Sequence, residues 1–89
     1  MLKQNATIMN KLGLHARASS KLTQLASQFD AEVWISKGDR KVNGKSIMGV
    51  MMLAAGMGSE VEIEVHGSDE AAAMTAVLAL ITDFFGEDS

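Results

Sequence analysis

The residues best suited to chemistry are Gly13-Leu14-His15-Ala16-Arg17-Ala18-Ser19, where a lone histidine stands between an apparent strand and the helix after it. A helix start leaves its first backbone N–H groups without partners, and these, with the helix dipole, favour a negative charge placed there. His15 occupies that place. The usual residue is Ser, Thr, Asp or Asn, whose side chain accepts an N–H bond, so an imidazole with Arg17 beside it marks a spot suited to an anion. Ser46 forms a second helix start, and there the ordinary capping hydroxyl is present. The other histidine, His66, has no second His or Cys placed to share a metal, so it reads as a solvated surface residue and no metal site is expected.

An enzyme reading is tested by Gly38-Asp39-Arg40-Lys41-Val42-Asn43-Gly44-Lys45-Ser46, which ends like a phosphate-binding P-loop. That motif needs four residues between its glycines, and here there are five. It also needs a buried parallel strand before it, whereas this segment reads as a hairpin. Nucleotide hydrolysis is set aside.

The chemistry must be positioned by 89 residues, which fit a single domain over residues 1–89. There is no cysteine, hence no disulfide framework and no thiolate metal site, so nothing calls for an oxidising compartment. No apolar run approaches the roughly 18 residues of a membrane span, and Met1 to Asn5 lack a signal peptide's apolar core. A cytoplasmic protein without membrane insertion is expected. A net charge of −3 without a basic stripe argues against nucleic acid. Lys37, Arg40, Lys41 and Lys45 nevertheless crowd ahead of Ser46, while acids gather from Glu60 onward, which marks two different surfaces.

Residues 3 to 9 place Ala6 and Ile8 on one face, and Asn10 to Gly13 then break this first strand. From Ala16 to Gln28, Ala18, Leu22, Leu25 and Ala26 recur at helical spacing with Phe29 just beyond, leaving Arg17, Ser20, Gln24 and Ser27 exposed. Val33-Trp34-Ile35 and Arg40 to Asn43 form a hairpin about Lys37-Gly38-Asp39. A short helix follows Ser46. Glu60 to Val65 alternates strictly, so Val61, Ile63 and Val65 face a core and the glutamates face water. Ser68-Asp69-Glu70 opens a last helix whose Met74, Val77, Leu78, Ile81, Phe84 and Phe85 keep helical spacing to Gly86. The order βαββαβα, with a mostly antiparallel sheet, predicts an α+β open-faced sandwich with its helices on one face.

Taken together, Gly13-Leu14-His15-Ala16-Arg17, the block Asn43-Gly44-Lys45-Ser46-Ile47-Met48-Gly49-Val50 and this element order resemble HPr, the histidine-containing phosphocarrier family of the bacterial sugar phosphotransferase system. The resemblance spans essentially the whole chain. It implies a four-stranded antiparallel sheet with three helices on one face, no cofactor, and a monomer. It further implies that His15 accepts a phosphoryl group from phosphorylated enzyme I and passes it to an enzyme IIA, so the protein is a carrier rather than a turnover enzyme by itself. The residues suit this. The attacking imidazole must be neutral, and the helix start with Arg17 disfavours the imidazolium. The same positive field, through the amides after His15 and the Arg17 guanidinium, then compensates the phosphoryl oxygens.

Ala18 departs from the proline usual in the family, which presets the backbone at the helix start. Transfer rate or partner fit is what that change touches. Ser19 and Ser20 likewise stand where alanine is common. Ser46 resembles the serine phosphorylated by an ATP-dependent HPr kinase/phosphorylase, and a phosphate on a helix start would cost the fold little. Ile47, Met48, Met51 and Met52 are too many apolar residues for one buried face of so short a helix. Because the family places its docking patch here, Ile47, Met48 and Met51 are expected to be exposed, with Ser20, Gln24 and Ser27 as a polar rim. A nitrogen-branch carrier and a purely regulatory HPr-like protein acting through Ser46 are the alternatives.

Overall fold

The computed structural model describes all residues from Met1 to Ser89. Its elements are β1 (Leu2–Thr7), α1 (Ala16–Ala26), β2 (Glu32–Lys37), β3 (Arg40–Asn43), α2 (Ile47–Met52), β4 (Glu60–His66) and α3 (Glu70–Thr82), with a short 3₁₀ turn at Phe84–Gly86. This is the βαββαβα order. The sheet runs β1-β4-β2-β3 with every neighbour antiparallel.

Period-two alternation sends Val33 and Ile35 of β2, with Val61, Ile63 and Val65 of β4, to the helix side, where all are buried. Val33 lies opposite Val65 and Ile35 opposite Ile63. Onto this floor α1 places Ala18, Leu22 and Ala26, α2 places Val50, and α3 places Ala73, Val77 and Ile81. Each large apolar side chain so buried contributes about 1.5–3 kcal/mol. The hairpin between β2 and β3 turns on Gly38 at φ 62, the left-handed conformation that such a two-residue turn requires.

Several boundaries differ from the sequence expectation. The first strand stops at Thr7: the Ile8 amide still bonds in register to the Ser59 carbonyl at 2.8 Å, but the Ile8 carbonyl accepts from the Gly58 amide instead of that of Ser59, which turns to Gly56 O. Helix α1 ends at Ala26, where its bonds tighten to Gln28–Leu25 and Phe29–Ala26. Helix α3 ends at Thr82, short of Gly86: Phe84 and Phe85 turn left-handed at φ 58 and 54. That reversal drives the Phe85 ring into the core at 0% exposure. Asp69 does not cap α3 with its side chain; its carboxylate accepts from the amides of Asp30 and Ala31 at 2.9 and 2.8 Å. These bonds tie the start of α3 to the start of β2.

Glu64 lies on the open face of the sheet, where the alternation predicts water, yet it is only 7% exposed. Lys41 and Lys3 reach over it to 3.3 and 3.6 Å, and long basic side chains can cover a surface while keeping their own charges wet. His66 is not free in solvent either, since its Nε2 meets the same carboxylate at 2.5 Å.

Candidate functional site

The loop Asn10–Leu14 delivers His15, and Asn10, Gly13 and Leu14 are each clamped by a specific contact. The Gly13 amide bonds to Asn10 O at 3.1 Å, the Asn10 side-chain amide returns to Gly13 O at 2.8 Å, and Leu14 N reaches Ala55 O at 2.9 Å. Gly13 sits at φ 66, and a Cβ there would stand 2.5 Å from Ala55 O and 2.6 Å from Gly56 Cα. Only glycine fits that approach. On the other side the buried Ser19 hydroxyl donates to Leu14 O at 3.0 Å, so this hydroxyl holds the loop rather than facing the site.

His15 is the N-cap of α1, with an extended backbone at φ −73 and ψ 180. Its Nδ1 accepts from the Arg17 amide at 3.3 Å, which is the bond a capping oxygen normally takes. A ring nitrogen that accepts carries the lone pair, so the proton is on Nε2. That N–H donates to Glu87 Oε2 at 2.5 Å. The nitrogen that bears the lone pair therefore faces the Arg17 amide, and the protonated one faces a carboxylate. Ala18 is fully buried beneath the helix start, so its side chain packs against the core while its backbone belongs to the first turn.

Glu87 is the residue that sequence reasoning missed. Its Oε1 accepts from the Asn10 side-chain amide at 2.9 Å, and this bond, with that from His15, holds its carboxyl below the ordinary glutamate value against partial burial. The segment bearing it is fastened by Lys21, whose ammonium donates to Phe85 O at 2.7 Å. No local signal points to it, because the partners are 72 positions apart in sequence. An open cavity of about 690 Å³ lies over the imidazole, lined by Lys11, Leu12, Arg17, Glu87 and Asp88 among others.

At the second helix start, Ser46 is exposed and its Oγ accepts from the Gly49 amide at 3.2 Å, as its capping role requires. Helix α2 packs against α1 and buries Val50 alone among its six residues. Met48 is 69% exposed, Ile47 and Met51 are each 40% exposed, and Met52 is exposed with them. Ser20 is half-buried with its hydroxyl accepting from Gln24 at 3.1 Å, while Ser27 closes α1 about 18 Å along the axis from His15. His15, Arg17 and Ser20 thus share one end of α1, and Ser27 lies at the other. No group of three His, Cys, Asp or Glu side chains is placed to hold a metal ion.

Comparison with known proteins follows the same lines. Residues 2–83 match the family model described as the PTS HPr component phosphorylation site. The chain is 63% identical over 87 residues to the phosphocarrier protein HPr of Neisseria meningitidis, covering 98% of both. It is 47% identical to the phosphocarrier protein NPr of Shewanella violacea, over 99% of this chain and 97% of that one. The crystal structure of HPr-C-His from Thermoanaerobacter tengcongensis superposes with a TM-score of 0.96 at 42% identity, covering the whole of both chains.

Proposed function

The chain belongs to the HPr family of phosphocarriers of the phosphotransferase system, and from that premise we propose that His15 is its phosphoryl acceptor, charged by enzyme I and discharged to enzyme IIA. The observation that carries this reading is the capping geometry, with Nδ1 directed at the first-turn amides of α1. A phosphoryl group on Nδ1 would occupy the anion position of a helix start, among N–H groups that have no acceptor within the helix. In the transfer, the Nδ1 lone pair forms the new P–N bond as the P–N bond of the donor breaks, and the released electron pair stays on the donor nitrogen. Little covalent work is left to the protein, so charge compensation by the Arg17 guanidinium and the amides supplies the catalysis.

The exposed Ile47, Met48 and Met51 are read as the shared docking patch, with Ser20, Gln24 and Ser27 as its rim. Methionine suits a surface that several partners use in turn, because its unbranched side chain repacks at low cost. Ser46 is read as a regulatory site for an HPr kinase/phosphorylase: its phosphate would rest on the α2 start while its charge opposes docking of an acidic enzyme I. The carrier acts in the cytoplasm as a monomer. Of the two branches, the sugar branch is favoured by the greater identity to HPr than to NPr.

Incubation with phosphoenolpyruvate and sugar-branch enzyme I tests this. An acid-labile adduct is expected in the wild type and in Ser46→Ala, and none in His15→Ala. Labelling that persists without His15, or an acid-stable adduct, overturns the assignment.

A further inference from the structure

Glu87 lies beyond the residues that the family model matches, and the carrier reading gives it no task. The fold nevertheless fixes it from several sides. Its two oxygens are divided between the His15 Nε2–H at 2.5 Å and the Asn10 side-chain amide at 2.9 Å. Asn10 is itself fully buried and braced against Gly13 O, so the carboxylate rests on the same loop that orients the imidazole. The approach of the chain is set by Phe84 and Phe85, both left-handed, a conformation that is costly for a residue with a side chain. Burial of the Phe85 ring and the bond from Lys21 to its carbonyl hold that costly turn in place.

We propose that Glu87 is a positioning residue for phosphoryl transfer, keeping the imidazole proton on Nε2 through the whole cycle so that Nδ1 is the nucleophile on entry and the leaving group on exit. The inference rests on His15 being the acceptor. With the proton on Nε2 throughout, attack by the neutral ring yields a phosphorylated ring protonated at Nε2. Onward transfer breaks the Nδ1–P bond, returns the electron pair to Nδ1 and leaves the neutral ring it began with. No proton has to move at either step. A carboxylate in contact with the N–H stabilises the protonated phosphorylated ring, as a buried aspartate does for the histidine of a serine protease. The other charged groups about the ring are Arg17 and Lys11 at the cavity wall, Lys21 behind Phe85, and Asp88. The basic ones favour the phosphoryl group, and Glu87 is the acid in contact with the ring.

Two variants separate charge from shape. Glu87→Gln keeps an oxygen that can accept from Nε2–H but loses the charge, and Glu87→Ala loses both. The probe is phosphorylation by phosphoenolpyruvate and enzyme I, followed by hydrolysis of the adduct across pH and by the rate of acceptance. Because the protonated ring is the better leaving group, the lability curve is expected to move to lower pH by about 1 unit in Glu87→Gln. The kcat for acceptance is expected to fall about tenfold in Glu87→Ala with KM for phospho-enzyme I unchanged, as when a group acting on the transition state alone is removed. Superimposed lability curves in wild type and both variants overturn the proposal, and so does a loss of rate with no shift of the curve. Run in parallel, His15→Ala reports on the acceptor assignment separately, since an adduct surviving there would defeat that assignment whatever the Glu87 variants do.

Discussion

Glu64 shows how one side chain can be moved out of its ordinary range by its neighbours. The hydrogen bond from His66, with Lys41 and Lys3 nearby, pulls its carboxyl down to about 2 against a cost from burial. A carboxyl depressed in the folded protein adds stability that is complete above its unfolded value, near 4.5, and is lost as pH falls toward 2. Asp69, Glu70 and Glu87 are shifted in the same direction, by bonds from Asp30, from the N-terminal ammonium and from Asn10 respectively. Denaturant midpoints measured from pH 6 down to pH 2 should therefore fall steadily in the wild type. In Glu64→Gln the decline should be shallower, and an unchanged slope would show that the cluster on the open face carries no linkage. Periodicity correctly put Glu64 opposite the core, but it does not register that Lys3 from the adjacent β1 and Lys41 from β3, beyond β2, reach across and cover it.

Elements impose their own constraints, and the tightest is the approach of the Gly13 loop to the Ala55-Gly56 backbone. Gly13→Ala combines a left-handed residue, costing about 1–3 kcal/mol, with a Cβ 2.5 Å from a carbonyl oxygen. A lower urea midpoint and slower phosphoryl acceptance are expected together, because the loop that must shift is the one that aims His15. Retention of both would mean that the loop relaxes without cost. The two helix starts at His15 and Ser46 were legible from sequence because a cap depends on residues within one turn of each other. The end of α3 was not. Met74, Val77, Leu78, Ile81, Phe84 and Phe85 keep helical spacing throughout, and only the packing of Phe85 into the core reveals that the chain reverses after Thr82. Glu87 was hidden for the same reason, since its place is set by that reversal and by Asn10, far away in sequence.

Across the whole molecule, a single apolar core must hold a sheet and three helices, and Phe85 is the largest fully buried side chain in it. Phe85→Ala should cost about 3–5 kcal/mol, a large part of the roughly 5–15 kcal/mol that stabilises a typical domain. Calorimetry should record the drop in Tm. Hydrogen exchange should at the same time find the segment from Phe84 onward less protected, whereas a lowered Tm with that segment unchanged would separate the core from the Glu87 contact. The sheet order adds a consequence in time. Strand β1 lies at the edge and pairs only with β4, so Leu2 has no ladder partner until Val65 has been made. During synthesis the β2–β3 hairpin can close early from neighbours in the chain, while the N-terminal strand and the histidine just after it emerge first and wait longest. Such long-range pairing slows folding. A nascent chain that already carries His15 therefore has no floor beneath it, and the proposed site is assembled only after the last strand and helix have been made.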